Sequence, residues 1–280
     1  MSTANHEKIG KMAKEFSLLM SVYYKDKANE LRQSLESIVT STIKPSEIVL
    51  VEDGELTNEL KQVVKEYVDK YDFIKIIRLP VNGGLAHALN VGLKHCACEY
   101  IARMDSDDIT LPKRFEKQID FLELHPDVDC VGTWAIEITS GGSEFYRKQM
   151  PITHEECRKF FMKRDCMIHP TVMFRRSYIE KAGSYSENTY FGEDTMIWAQ
   201  GFANSCRFAN LPEYLFKFRL NDEFFSRRRG WKHAWGILTL RWRVNRMLNY
   251  PLTSYLYSIV YAGVKMMPTK ILNWIYKNIR

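Results

Sequence analysis

Three aspartates stand within four residues, in the order Asp105, Ser106, Asp107 and Asp108. Carboxylates this close repel one another, so the cluster is costly unless a cation neutralises it. Carboxylate oxygens suit Mg²⁺ or Mn²⁺, and such a cation keeps open positions for phosphate oxygens. The pattern therefore indicates metal-assisted chemistry on a diphosphate. The alternative is a solvated turn that caps the following helix, a role that Asp108 fits.

A second acidic pair, Glu193 and Asp194, opens a predicted helix. A carboxylate beside an attacking hydroxyl can take its proton, and such a general base typically contributes about 10²- to 10⁴-fold to the rate. Acidic residues in a first helical turn also complement the helix dipole, and this simpler explanation fits both residues. Two carboxylates exceed what capping needs, which favours catalysis by one of them.

The elements that position these residues alternate between strand and helix. Amphipathic helices separate the predicted strands, which lie at 16–22, 47–52, 74–79 and 100–104. This order predicts right-handed βαβ units and a mostly parallel sheet sandwiched by helices, an α/β fold. Ligands bind beyond the carboxyl ends of such strands. Those ends are the segments 23–24, 53–54, 80–84 and 105–108.

The second half of the chain is more mixed. The segments 153–156 and 177–180 both match the capping box that begins a helix, and Gly183 is expected to end one. Two short strands, at 207–211 and 214–219, are expected to close the domain.

Charge is distributed unevenly. The net charge is +6, yet residues 224–280 hold eleven lysines and arginines and no acidic residue, so the preceding part carries −5. Trp231, Trp235, Leu238 and Trp242 share one face of a predicted helix beside a basic stripe. Such a helix suits an anionic membrane surface. The alternative is a helical pair docked on the catalytic domain, and the acidic body disfavours nucleic-acid binding.

No apolar run matches a signal peptide or the roughly 20 residues of a membrane span. The protein is therefore expected in the cytoplasm, peripherally associated with the inner face of the cell membrane. Its six cysteines are expected to be reduced, because nothing points to secretion.

The strand ends and acidic motifs together resemble glycosyltransferase family 2, the inverting enzymes with the Rossmann-like GT-A fold. The similarity spans residues 16–226 and is greatest to members that build bacterial O-antigen, capsule and exopolysaccharide. The matching segments are LMSVY at 19–23, IVLVEDG at 48–54, NGGLAHALN at 82–90, ARMDSDD at 102–108 and FGED at 191–194. A catalytic domain at 1–226 and a membrane-associating tail at 227–280 are expected.

The resemblance implies a nucleotide site. In the family the first strand end holds the nucleobase, and Ser21, Val22 and Tyr23 occupy that position. Asp53 matches the acidic residue that accepts from the uracil N–H, although a turn residue before Gly54 is the alternative.

The resemblance also implies contacts to the diphosphate and the ribose of the sugar-nucleotide donor. Gly84 and Asn90 match the loop and helix on the diphosphate side, but Leu89 stands where the family often has a basic residue. Asp105 and Ser106 match the ribose side.

The resemblance also assigns the reacting groups. Asp107 matches the principal metal ligand, and His169 is a second candidate ligand. Asp194 matches the catalytic base. Contacts to acceptor or phosphate are expected from Glu193, Arg219 and Arg227.

These assignments predict transfer of a hexose or N-acetylhexosamine from a UDP-sugar, with Mn²⁺ or Mg²⁺, to a saccharide on polyprenyl diphosphate. A sugar nucleotidyltransferase is a rival, but it needs a glycine-rich loop after the first strand, and residues 23–26 contain no glycine. A non-catalytic membrane-bound scaffold is the second rival, and Asp105, Asp107 and Asp194 argue against it.

Overall fold

The computed structural model describes residues 15–188, 192–220, 230–268 and 271. Its strands are β1 (Phe16–Val22), β2 (Glu47–Glu52), β3 (Ile74–Arg78), β4 (Tyr100–Arg103), β5 (Ile109–Thr110), β6 (Cys130–Thr139), β7 (Glu144–Lys148), β8 (Met173–Arg175) and β9 (Phe208–Leu220). Its helices are α1 (Ala28–Val39), α2 (Asn58–Lys70), α3 (Leu85–Leu93), α4 (Arg114–Leu124), α5 (His154–Phe161), α6 (Arg176–Ala182), α7 (Glu193–Ala203), α8 (Trp231–Met247) and α9 (Leu252–Lys265), and a 3₁₀ helix spans His169–Thr171.

The strands form one sheet in the order β3-β2-β1-β4-β8-β6-β9-β5, with β7 paired to β6. The first four strands pair in parallel, as predicted. Pairings in the second half are mixed, because β8 runs antiparallel to β4 and β6 whereas β9 runs parallel to β6. The parallel half brings the carboxyl ends of β1, β2 and β4 to one edge of the sheet, where the predicted binding segments begin.

Both faces of the sheet are covered, which explains the nearly continuous apolar runs of its central strands. Side chains alternate between the faces. In β1, Leu18 and Met20 pack into the core beneath α1, α2 and α4, whereas Leu19 packs into the core beneath α3 and the helices of the second half. The helical sandwich expected from the sequence is therefore confirmed.

Two local predictions are wrong. Residues 208–220 form one strand instead of two, because β9 pairs along the whole length of β6 and register shifts around Trp134 absorb the irregularity. The expected capping box at 177–180 is not formed, since α6 starts at Arg176, directly after β8, and its N-cap residue Arg175 makes no side-chain cap. The capping box of Thr153 and Glu156 is confirmed.

The C-terminal helices pack against each other and against the catalytic core. Leu240 and Val244 of α8 and its C-cap residue Leu248 lie in the same apolar core as α3 and α7. Between α8 and α9, the rings of Trp242 and Tyr255 meet edge-on at 5.9 Å. Helix α8 therefore docks on the catalytic core and α9 packs on α8, whereas membrane association of this tail stays a prediction.

The outer faces of these two helices expose large apolar side chains. Trp231, Trp235 and Trp242 of α8 are 65%, 55% and 46% exposed. In α9 the exposed apolar side chains include Leu252 and Leu256. Within the residues that the structure describes, no helix has the length and hydropathy of a membrane span.

Candidate active site

The acidic segment after β4 folds into a compact group of carboxylates. One ligand oxygen each from Asp105, Asp107 and Asp108 lies within 4.8 Å of the others. Burial raises the pKa of Asp107 to about 7, and the negative charge of Asp105 adds to the shift. Burial also raises the pKa of Asp108 well above its usual range, with Asp107 as the next cause.

These residues fit a divalent cation. Three carboxylates supply the hard oxygen ligands that Mg²⁺ and Mn²⁺ prefer. One of these oxygens, Oδ2 of Asp108, is buried and has no hydrogen-bond partner among the described residues. Asp108 is not the helix cap that the alternative reading gave it, because its Oδ1 accepts from the amide of Arg219 at 2.7 Å and the N-cap of α4 is Lys113.

Arg219 holds this segment in place from β9. Its side chain is buried, and its Nε donates to the carbonyl oxygen of Asp107 at 2.7 Å. Its two terminal nitrogens donate to Ser140 O at 3.1 Å and to Gln33 Oε1 at 2.8 Å. Each guanidinium nitrogen of Arg219 thus already donates to a protein acceptor, and the phosphate contact expected of Arg219 stays a prediction.

Two acidic side chains of the β1–α1 region complete the cluster, and sequence reasoning missed them. Ser106 Oγ donates to Asp26 Oδ2 at 2.7 Å, and the amide of Tyr23 donates to the same oxygen at 3.1 Å. Burial raises the pKa of Asp26 to about 6. The charges of Asp26 and Glu30 both raise the pKa of Asp107. The available signal was that Asp26 lies in the loop after β1, four residues beyond its last residue, Val22.

Arg103 supplies positive charge beneath the cluster. It is buried at the end of β4, and its Nη2 lies 2.5 Å from Oδ1 of Asp105. Burial opposes its charge, yet its pKa is raised because Asp105 and Tyr185 outweigh that cost. Its Nε and Nη1 have no hydrogen-bond partner among the described residues.

Asp53 shapes the loop before α3. Its carboxylate is buried, and its two oxygens accept from the amides of Gly83 at 2.7 Å and Gly84 at 3.0 Å. Gly54 has φ +83, and an added Cβ would lie 2.6 Å from the backbone nitrogen of Asn82, so only glycine fits there. Asp53 therefore has a loop-forming role in addition to the uracil contact, which stays a prediction.

Helix α3 is tied to a loop from the second half of the chain. Gly84 is its N-cap, with φ +84. Asn90 Nδ2 donates to Tyr185 O at 2.9 Å and to Glu187 Oε1 at 2.7 Å, and its Oδ1 accepts from the amide of Tyr185 at 2.8 Å. If Asn90 contacts the sugar-nucleotide donor as predicted, that contact would have to replace or share these hydrogen bonds.

At the end of β1, Ser21 is half-buried, Val22 is buried and Tyr23 is half-buried. The parallel register sets Val22 opposite Glu52, next to Asp53. The predicted nucleobase residues of β1 and β2 are therefore neighbours.

His169 lies outside the carboxylate group. Its Nε2 is 2.9 Å from the hydroxyl of Tyr185, and its ring meets Trp198 edge-on. Burial lowers the pKa of His169 well below its usual range, and the charge of Arg103 acts in the same direction. A neutral, buried imidazole with this partner is structural in character, and its role as a metal ligand stays a prediction.

Glu193 and Asp194 form the first turn of α7, after Gly192 in the left-handed region at φ +85. Asp194 Oδ1 accepts from the amide of Thr195 at 2.7 Å. Tyr185 lies within electrostatic range of Arg103, beneath the carboxylate group, and of Glu193 and Asp194. Burial raises the pKa of the Tyr185 hydroxyl above its usual range. The positive charge of Arg103 opposes this shift, whereas the negative charges of Asp194 and Glu193 add to it. Arg227 lies outside the described residues.

Comparison with known proteins identifies the family. The sequence model described as Glycosyl transferase family 2 matches residues 17–183. The chain belongs to glycosyltransferase family 2. That span covers the nucleotide-side segments, the carboxylate group and His169, and it ends before α7.

Relatives from this glycosyltransferase family match nearly the whole chain. The amylovoran biosynthesis glycosyltransferase AmsE of Erwinia amylovora is 35% identical over 267 residues, which cover 95% of this chain and 99% of the relative. A UDP-Gal:alpha-D-GlcNAc-diphosphoundecaprenol beta-1,3-galactosyltransferase of Escherichia coli is 32% identical over 267 residues, covering 95% of this chain and 96% of the relative. The chain is accordingly a glycosyltransferase, as predicted.

Solved structures of glycosyltransferases share the fold. The mannosyltransferase PcManGT of Pyrobaculum calidifontis, in complex with GDP-Man and Mn²⁺, has a TM-score of 0.64 at 14% identity, over 92% of this chain and 78% of that one. The GT-A fold expected from the resemblance is confirmed.

Proposed function

We propose that this glycosyltransferase moves a hexose or N-acetylhexosamine from a UDP-sugar to a saccharide carried on polyprenyl diphosphate, with inversion and with help from Mn²⁺ or Mg²⁺. The carboxylate group at the end of β4 carries the proposal. Its oxygens lie within 4.8 Å of one another, at the sheet edge where nucleotides bind in α/β folds. This reaction would serve cell-surface polysaccharide synthesis.

The choice of donor and acceptor draws support from the relatives. One relative is named for UDP-Gal and for a diphosphoundecaprenol-linked acceptor, and another for the biosynthesis of amylovoran. The mannosyltransferase of the same fold holds GDP-Man and Mn²⁺. UDP is favoured over GDP here because the similarity to the UDP-Gal enzyme extends over 95% of the chain at 32% identity.

In the proposed reaction, Asp105, Asp107 and Asp108 would hold the cation. When bound, the cation would neutralise charge that develops on the departing diphosphate. Asp26 and Glu30 add further negative charge beside this group. That charge attracts a cation and would repel a diphosphate that arrived without one. Arg219 fixes the backbone of Asp107, so the ligand is held before the substrate arrives.

Asp194 is the proposed base. An acceptor hydroxyl must lose its proton as it attacks the anomeric carbon, and the half-buried carboxylate at the start of α7 can receive it. The hydrogen bond from the Thr195 amide fixes the position of Oδ1. Glu193 and Arg227 are proposed contacts to the acceptor or to the phosphates.

A lipid-linked acceptor requires the enzyme to work at a membrane. The exposed tryptophans of α8 lie beside exposed basic residues, including Lys232 and Arg243. Aromatic side chains next to cations suit the headgroup region of an anionic bilayer. Peripheral attachment at the cytoplasmic face is therefore part of the proposal.

A transfer assay tests the proposal. Release of UDP or GDP is measured with UDP-Glc, UDP-Gal, UDP-GlcNAc, UDP-GalNAc and GDP-Man, with a short-chain prenyl diphosphate saccharide, with Mn²⁺ or with EDTA. One UDP-sugar should be turned over, and EDTA should abolish turnover. Asp194→Asn should keep the affinity for UDP and lose about 10²-fold or more in turnover.

The matched control is Glu155→Gln, which alters an exposed acidic residue in the first turn of another helix, α5. It should leave turnover unchanged. Turnover in EDTA at the full rate would refute the metal-assisted mechanism, and wild-type turnover by Asp194→Asn would refute the base assignment.

A further inference from the structure

The C-terminal helix α8 touches the backbone at the start of α7. A Cβ added to Gly192 would lie 2.3 Å from Cδ2 of Leu240, so the side chain of Leu240 occupies the space that glycine leaves. Gly192 also needs the left-handed backbone conformation, with φ +85. Helix α8 therefore packs directly against Gly192, the residue that precedes Glu193 and Asp194.

A second contact reaches the other side of the acidic pair. Arg241 is buried, with its Nη1 donating to Phe161 O at 3.1 Å and its Nη2 donating to Asp165 Oδ1 at 3.1 Å. The same oxygen of Asp165 accepts from Thr195 Oγ1 at 2.8 Å. Thr195 in turn donates its amide to Asp194 Oδ1.

We infer that Arg241 is a positioning residue for the proposed base. Through Asp165 and Thr195 it fixes the first turn of α7, and with it the direction of the Asp194 carboxylate. The inference rests on the proposed role of Asp194. It makes α8 part of the catalytic unit as well as the helix that presents tryptophans on its outer face.

The strength of the connection follows from burial. The side chain of Arg241 is 5% exposed and that of Asp165 is 33% exposed, so the guanidinium side of their ion pair is shielded from water. Removing either partner leaves the other charge without its counter-charge. Asp165, the hydrogen-bond acceptor of Thr195, is then either absent or no longer held in place by Arg241. A displacement of about 1 Å at a catalytic group can cost roughly 10²-fold in rate, so a small shift of this turn is measurable.

The test compares Arg241→Gln, Thr195→Val and Thr195→Ser in the full-length enzyme. Arg241→Gln and Thr195→Val should lower kcat by about 10- to 10²-fold, while the affinity for UDP and Mn²⁺ and the KM for the donor stay within about twofold. Thr195→Ser keeps the hydroxyl and should restore most of the activity. Thermal unfolding shows whether each variant is folded, and Thr195→Val carries the test if Arg241→Gln is not.

The dependence of kcat on pH separates positioning of the base from a role in stability alone, because a change in stability alone would not shift this profile. Loosening the hydrogen bond from the Thr195 amide removes a contact that favours the ionised carboxylate. The acid limb of kcat should therefore shift to higher pH in Thr195→Val. Arg207→Gln, which removes a surface ion pair with Asp127, and Thr239→Val, which removes an exposed hydroxyl of α8, should show neither effect.

Wild-type kcat in both Arg241→Gln and Thr195→Val, beside an impaired Asp194→Asn, would overturn the positioning role and leave the proposed function standing. A loss of donor affinity in proportion to the loss of kcat would also overturn it. Wild-type kcat in Asp194→Asn would instead overturn the base assignment on which the inference rests.

Discussion

At the scale of single residues, the acidic cluster is governed by the closeness of its carboxylates. Burial and mutual repulsion raise the pKa of Asp107 to about 7 and that of Asp26 to about 6. A raised carboxylate pKa means that near neutral pH a proton competes with a cation for the same oxygens. Metal binding must displace that proton, so affinity depends on pH.

Calorimetric titration with Mn²⁺ should therefore show affinity that rises between about pH 5.5 and about pH 7.5, because the ligands must be deprotonated before they coordinate. Asp107→Asn should weaken binding by at least about 10- to 100-fold, the loss typical even of residues that only support a metal ligand. Asp72→Asn, an exposed aspartate just before β3, is the control. An affinity that is flat across this range would contradict the titration of the cluster.

At the scale of elements, two side chains hold the strand-end loops in shape. Asp53 binds the amides of the loop before α3, and Arg219 joins β9 to α1, to the β6–β7 turn and to the loop that holds Asp107. Both bury charge against backbone groups of the site. The loops are thus shaped by the protein itself, which reduces the ordering that a donor must induce.

Arg219→Met should lower the free energy of unfolding by about 2 to 3 kcal/mol, because it removes charged hydrogen bonds to buried groups. It should also weaken UDP binding in the presence of Mn²⁺. The control Arg147→Met breaks an exposed ion pair with Glu144 and should cost less than about 1 kcal/mol. Chemical denaturation gives both values.

If Arg219→Met lost UDP affinity with no change in stability, a direct phosphate contact would explain Arg219 better than its role in fixing the Asp107 loop.

At the scale of the whole molecule, the C-terminal helices have two different faces. The inner face of α8 is buried in the catalytic core, and the outer faces expose tryptophans of α8 and aliphatic side chains of α9. A basic segment without acidic residues runs through the same region, whereas the preceding part of the chain has a net charge of −5. In the proposed function, this separation of charge would orient the molecule toward an anionic surface.

Replacing Trp231, Trp235 and Trp242 together by serine should abolish co-sedimentation with vesicles of phosphatidylglycerol and phosphatidylethanolamine, because interfacial aromatic area is lost. Binding by the wild-type protein should fall as salt is raised, since lipid charge is screened. Replacing the exposed Leu124 of α4 by serine is the control. Equal binding by the triple variant would contradict attachment through α8.

The sequence by itself determined the parallel half of the fold and the family. Strand and helix periodicities are local, so β1 and β2 lie where they were predicted. Asp105 and Asp107 were found because adjacent like charges at a strand end stand out in any sequence. The same locality failed at β9, where pairing with β6 joined two predicted strands into one.

Only the tertiary structure decided which distant residues complete the site. Asp26 joins Ser106 across 80 positions, and Arg219 reaches Asp107 across 112. Arg241 connects with Asp165 and Thr195 only after α8 has packed on α7. Such contacts depend on how helices and strands pack, and side-chain type and spacing along the chain carry no record of that packing.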